Sequence, residues 1–232
     1  MNKDGMKIKA GSLVLMFLVI LVVPCLPLLI SGRWDWWEAW VYALSSILGF
    51  IISRVLAAKK NPEVIRERAK TLDHADTKGF DKILAPIAGL GGALLMVVAG
   101  LDGLFRWTLP FNMVVKIVAL VLILAGYAWS SWALIVNRFF SGVVRIQVER
   151  GHEVVSHGPY AVMRHPGYAG ALLLYLATPF FLDSWWTLLS AVFLAIVLVI
   201  RTGLEDRTLQ EELPGYREYT KKVRYRLLPG LW

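Results

Sequence analysis

The sequence predicts an all-α, polytopic integral membrane protein with about six transmembrane helices and both termini in the cytoplasm. Three observations carry that expectation. Of 232 residues, 57% are hydrophobic and the mean hydropathy is +0.57, which is far more apolar than a soluble domain. The apolar residues are gathered into runs long enough, at about 1.5 Å of rise per residue, to cross a hydrocarbon core of about 30 Å. With six spans, 22 of the 25 lysines and arginines fall on the side that holds both termini, the asymmetry expected of a cytoplasmic face. The net charge of +8 does not point to nucleic acid, because the basic residues flank spans and are not displayed on a folded soluble surface. The single cysteine, Cys25, lies inside an apolar run and excludes an intramolecular disulfide or a cysteine-based zinc site.

Taken in order, Lys3, Lys7 and Lys9 precede a first span over 11–30. Its apolar part is longer than that of a secretory signal and ends without a small-x-small cleavage pattern, which favours a span over a signal peptide. Pro24 and Pro27 are expected to kink it. Trp34, Trp36, Trp37 and Trp40 form an interfacial aromatic cluster leading into a second span over 37–58, with Arg54 near its far end. Residues 59–82 carry seven lysines and arginines and read best as a solvated topogenic loop, the alternative being a short amphipathic helix opening at Pro62 with Val64 and Ile65 toward the membrane. The third span, 83–101, holds Gly89, Gly91, Gly92 and Ala93; with no strand before them, close helix packing explains these small residues better than a nucleotide loop. A fourth span covers 112–136. Residues 141–160 are too polar to cross, and their alternation predicts an extended surface segment. A short fifth span, 167–182, is separated from the sixth, 185–202, by Asp183 and Ser184 alone, so the two must form a tight antiparallel hairpin. In the tail, Leu209, Leu213 and Tyr216 make an apolar helical face that is expected to lie against the membrane. The whole chain, 1–232, reads as one domain, with four spans in 11–137 and the chemistry-bearing residues in 138–232.

Those residues centre on GHEVVSHGPYAVMRHPGYAG, 151–170. Gly158-Pro159 and His165-Pro166-Gly167 are turn signals, and Pro166 is placed to open a helix whose free amides favour an anionic group. An ordinary juxtamembrane turn has the same composition. Downstream, Arg201 and Glu205 stand at i and i+4 and share one helix face. They fit either a weak helix-end ion pair or a carboxylate-gripping arginine at the mouth of a span. His152, His157 and His165 are too irregularly spaced for a zinc site, and no metal is expected. Ser141 and Ser156 lack the surroundings of a nucleophile.

The combination of RHPGY at 164–168, Arg201-x-x-x-Glu205-Asp206 and LPGYREYTKKVRYRLLP at 213–229 resembles the isoprenylcysteine carboxyl methyltransferase family and its prokaryotic relatives over 138–232. Phospholipid N-methyltransferases share much of the pattern. The resemblance implies S-adenosylmethionine as cofactor. It carries cofactor contacts to His152, Glu153, Val154, Val155, Tyr160, His165, Pro166, Gly167, Tyr168 and Glu205, and more weakly to Gln147, whose spacing to the histidine differs from the family's. It makes Arg201 the substrate-gripping arginine, and Arg201 with Glu205 the catalytic pair. Asp206 replaces the usual second glutamate, and LPGY replaces the FG-x-x-Y of eukaryotic members.

The implied chemistry suits the composition of the site. The cofactor's methyl group is already activated, so the enzyme must mainly align donor and acceptor and exclude water, with no metal. A carboxylate acceptor is ionised at neutral pH and needs no base, whereas an amine acceptor must first lose a proton, a task for Glu205 or a histidine. The expected function is therefore methyl transfer to the carboxylate of a lipophilic acceptor entering from the bilayer, on the cytoplasmic face. Phospholipid N-methylation is the enzyme alternative, followed by a sterol-type reductase and a non-enzymatic membrane protein. Transport is disfavoured because the spans are nearly free of buried charge.

Overall fold

The computed structural model describes residues 18–69 and 74–232, and among them the chain is all-helical, with no strand. Eight α-helices follow in order: α1 (Leu26–Ser31), α2 (Trp37–Lys60), α3 (Pro62–Ala69), α4 (Asp81–Phe105), α5 (Met113–Val136), α6 (Pro166–Phe181), α7 (Trp185–Glu212) and α8 (Tyr216–Lys222). Four of them, α2, α4, α5 and α7, have 24, 25, 24 and 28 residues and are long and apolar enough to cross a membrane. Helix α6 has 16 residues, too few to span alone without local thinning of the bilayer. Residues 11–17 of the first predicted span lie outside the described residues. From Leu18 the stretch is apolar and broken, a π-helical turn giving way to a 3-10 turn that contains Pro24 and then to α1, as the prolines lead one to expect.

Small residues set the helix spacing. Helices α5 and α6 make the most extensive pairing in the bundle, because Gly126 and Gly170 bring their backbones into contact: a Cβ built on either would lie 2.6 Å from the other's carbonyl oxygen. Gly170→Ala is therefore expected to force the helices apart and lower stability by about 1–3 kcal/mol, read as a fall in the unfolding midpoint in detergent; an unchanged midpoint would mean that the pair can slide at no cost. Gly91 packs in the same way against Leu194 of α7, so the predicted role of the glycine cluster in close packing holds there. Gly89, by contrast, faces open space, with nothing within 4 Å of an added Cβ.

The α6–α7 hairpin turns as predicted through Asp183, at φ +54°, and Ser184, whose hydroxyl caps α7 by accepting from the Thr187 amide. Several other expectations are corrected. Beyond the predicted span end at 202, helix α7 runs unbroken to Glu212, as the shared helix face of Arg201 and Glu205 requires; Leu204, Thr208 and Leu209 are only partly exposed or buried and extend it past the apolar run. The 59–82 region is not simply solvated: the short helix of the alternative forms, but α3 docks through buried Val64 on Ala57 and Leu134, so that face meets protein and not the membrane. Residues 141–160 are not simply an extended surface segment. They fold as an irregular segment with a 3-10 turn at Val148–Arg150, and they bury Val144, Arg145 and Gln147. Trp36 leaves the interfacial cluster and packs into the core beside Gly103. In the tail, Leu213, Tyr216, Tyr219 and Val223 face Ile146 and Val154 of that irregular segment; protein, not lipid, takes up the apolar face.

Candidate active site

The irregular segment, the N-terminus of α6, the far end of α7 and the tail enclose a cavity of about 480 Å³ with α2, α4 and α5. Its formation follows from local sequence. Pro166 opens α6 directly after His165, whose φ of −125° and ψ of 60° place it outside the helix. The chain N-terminal to it must then turn back along the tail: the Arg164 and His165 amides donate to the carbonyls of Tyr225 and Arg226, both at 2.9 Å.

Asp206 organises this end of the site. Its carboxylate is fully buried and accepts from Arg164 at 2.7 and 3.0 Å, Arg226 at 2.9 Å, Gln210 at 2.8 Å and Tyr216 at 3.1 Å. The His165 Nε2 lies 3.2 Å from the same carboxylate. The imidazole stacks at 6.0 Å on the ring of Tyr168, one turn along α6, and the Tyr168 hydroxyl donates to Glu205 at 2.6 Å. Glu205 is the carboxylate of this group that keeps access to the cavity, its side chain 23% exposed.

Arg201 and Glu205 both line the cavity, but they do not form the i, i+4 ion pair that their spacing allows. The Arg201 guanidinium reaches across to α4 and forms a two-pronged pair with Asp81, Nε to Oδ1 at 2.6 Å and Nη2 to Oδ2 at 2.8 Å. Nη2 also donates to the Gly142 carbonyl at 2.9 Å, and the cation sits 5.4 Å from the Tyr168 ring. Among the described residues Nη1 has no hydrogen-bond partner.

Of the other predicted contacts, Glu153, Val154, Val155, Tyr160 and Gly167 all line the cavity, while Pro166 is buried behind the wall and acts by starting the helix. His152 packs on Phe139 at 4.6 Å between ring centres. Burial pushes its pKa down to about 4, with Arg150 and Arg145 pushing the same way, so at neutral pH it offers an uncharged ring. Gln147 is also at the wall, yet both ends of its amide are engaged within the chain, Nε2 on the Phe139 carbonyl at 2.7 Å and Oε1 on Arg150. It shapes the segment and presents no free polar atom. His157 is exposed and stands off the cavity.

Sequence reasoning missed Asp81, Arg164, Tyr216 and Arg226. Arg164 had a visible signal, its place beside His165 in the RHPGY element. Asp81 had none, because 120 residues separate it from Arg201.

Helix α5, the irregular segment, α6 and α7 are also what the chain shares with known proteins. A family model described as phospholipid methyltransferase matches residues 114–214. A rice (Oryza sativa subsp. japonica) probable protein-S-isoprenylcysteine O-methyltransferase is 34% identical over 117 residues, 47% of this chain and 59% of the relative. Arabidopsis thaliana protein-S-isoprenylcysteine O-methyltransferase A is 35% identical over 80 residues, 34% of this chain and 39% of the relative. Over these stretches the chain is similar to isoprenylcysteine methyltransferases. An uncharacterised Bacillus subtilis protein, YpbQ, is also similar, at 40% identity over 68 residues, 29% of this chain and 40% of that protein. The chain thus spans about half the length of the curated relatives it matches. The family-model match contains His165, Tyr168, Arg201, Glu205 and Asp206, whereas the cavity wall contributed by α2 and α4 lies outside it.

Proposed function

We propose that this integral membrane protein is an S-adenosylmethionine-dependent methyltransferase whose acceptor is the carboxylate of a lipophilic molecule reaching the cavity from the bilayer. The observation that carries the reading is the convergence, in one cavity, of the His165–Tyr168–Glu205 group with Arg201 from the opposite side. The residues suit the cofactor in two respects: the volume, about 480 Å³, is that of a small-molecule site, and the accessible Glu205 carboxylate is a partner for an ammonium group. His165, Tyr168, Gly167, Tyr160 and the 152–155 strip would hold the cofactor, with Gln147 and Pro166 setting the shape of that wall. The bound sulfonium supplies the activated methyl. The chain's own part is to orient the acceptor through Arg201 Nη1, to fix Arg201 through Asp81 and Gly142, and to keep water out with the tyrosines of the tail. The charge asymmetry supports a cytoplasmic position for this site and for both termini.

The match to the phospholipid methyltransferase model favours one second reading, N-methylation of a lipid amine, in which Glu205 would take the amine's proton. Incubation with methyl-labelled S-adenosylmethionine and membrane lipid extract, followed by mild base, separates the two: carboxyl methyl esters release volatile labelled methanol, and methylamines retain the label. No transfer of label to any extract component would overturn both. His165→Ala and Tyr168→Ala are each expected to weaken cofactor binding roughly ten- to a hundredfold in calorimetry, the effect of losing about 1.5–3 kcal/mol from a hydrogen-bonded, charged site. Wild-type affinity in both variants would remove these side chains from the cofactor wall.

A further inference from the structure

Tyr175 stands on the cavity face of α6, in one row with Tyr168 and Ala171. It lies nine residues into the helix, about 14 Å from the end at Pro166, and so near the middle of a hydrocarbon core of about 30 Å. Its ring packs against the core of the bundle, but its hydroxyl makes no hydrogen bond with any described residue. The tyrosines at the mouth are engaged: Tyr168 donates to Glu205, Tyr216 to Asp206, Tyr219 to the Tyr160 carbonyl, and Tyr160 accepts from Asn137. A buried tyrosine hydroxyl ordinarily finds such a partner, and lipid offers it none. The facing helices keep the space beside Tyr175 clear. A Cβ built on Gly92 of α4 would lie 3.6 Å from the Tyr175 hydroxyl, while Gly89, one turn before it on the cavity wall, has nothing within 4 Å.

The surroundings specify what the hydroxyl is for. Ala88, Ala171 and Leu198 line the same part of the cavity, so a charged group would be stripped of water there without a counter-charge, and a neutral oxygen is what a lone hydroxyl can satisfy. The position along the ligand follows from the helix. Tyr168 lies 5.4 Å from the Arg201 cation, and Tyr175 is seven residues further along α6, two turns or about 10 Å. A molecule whose carboxylate reaches Arg201 therefore brings to Tyr175 a part of its tail about 10 Å from that end. An unbroken hydrocarbon chain would seal the hydroxyl from any partner, which is unfavourable; a tail with a carbonyl or hydroxyl oxygen at that depth would accept its hydrogen.

We propose that Tyr175 reads an oxygen atom partway along the tail of the acceptor, and that the acceptor is an amphiphile of the keto- or hydroxy-acid class, its tail interrupted by that oxygen. This rests on the methyltransferase reading for the word acceptor, and on Tyr175 and the open space at Gly89 for the binding itself. The test uses the full chain in neutral detergent and calorimetry with two probes, stearate and a stearate that carries a ketone midway along its chain. The wild type should bind the keto probe about tenfold more tightly than stearate, the effect of one hydrogen bond to a group otherwise left without a partner. Tyr175→Phe, which removes only the hydroxyl and keeps the ring, should bring the two probes level without weakening stearate. Gly89→Leu, which fills the open space, should weaken both probes together. Equal affinity for the two probes in the wild type, or a preference that survives in Tyr175→Phe, overturns the proposal, and wild-type affinity for both in Gly89→Leu overturns the location. S-adenosylmethionine binding is measured in parallel: its absence in the wild type would sink the methyltransferase reading, while the probe comparison still decides the subsite.

Discussion

Asp206→Asn is expected to loosen the tail and weaken cofactor binding at least tenfold, although asparagine fills the same space. The fully buried carboxylate is the counter-charge for both Arg164 and Arg226. Arg164 in turn holds the tail, donating to the Val223 and Arg224 carbonyls at 2.8 Å, so the charge on Asp206 is what allows the RHPGY element and residues 223–226 to sit together. Removing one partner of a buried pair leaves the other charge uncompensated, at a cost of about 3–5 kcal/mol. The measurable results are a lower unfolding midpoint in detergent, new protease cleavage within 214–232, and at least a tenfold loss of S-adenosylmethionine affinity as His165 loses its partner. Adding Arg164→Gln should recover part of the midpoint, because the stranded charge is gone. A protected tail and an unchanged midpoint in Asp206→Asn would assign the junction to Gln210 and the tyrosines instead.

What was legible in the sequence follows from the range over which each interaction acts. Spans 37–58, 112–136 and 185–202 were visible because apolar runs of that length answer to the bilayer alone, and the structure moves most of their ends by only a few residues. The exception, the ten further residues of α7, reads LEDRTLQEE near its end; mixed charge there looked like a tail because its inward partners lie in the irregular segment. The same cause hid the fate of Leu213 and Tyr216. Their helical spacing was correctly read as an apolar face, but spacing cannot say whether lipid or Ile146 and Val154 will cover it. At the site, His165, Tyr168, Arg201 and Glu205 were legible as short-range patterns. Asp81 was not: it was counted with a charged loop, since its significance depends on pairing across the bundle.

Asp81→Asn is expected to separate the structural from the substrate-holding work of Arg201. In the wild type, Asp81 occupies Nε and Nη2; under the proposed function the acceptor carboxylate would take Nη1 and meet a cation already paired with Asp81. That moderation is useful, because a carboxylate held too strongly is a poorer nucleophile. With asparagine at 81 the acceptor becomes the main counter-charge: KM should fall roughly tenfold, equivalent to about 1.4 kcal/mol, while kcat falls as well and cofactor affinity stays unchanged. Arg201→Lys should act differently. An ammonium cannot serve Asp81, the Gly142 carbonyl and an acceptor together with the planar geometry of a guanidinium, so kcat should drop by about 10²-fold through misplacement, without the fall in KM. Steady-state kinetics with a fixed, saturating cofactor concentration distinguish the two variants. If both merely lower the unfolding midpoint and leave KM and kcat per folded molecule at wild-type values, Arg201 is a buried structural partner of Asp81, and the acceptor must be held elsewhere in the cavity.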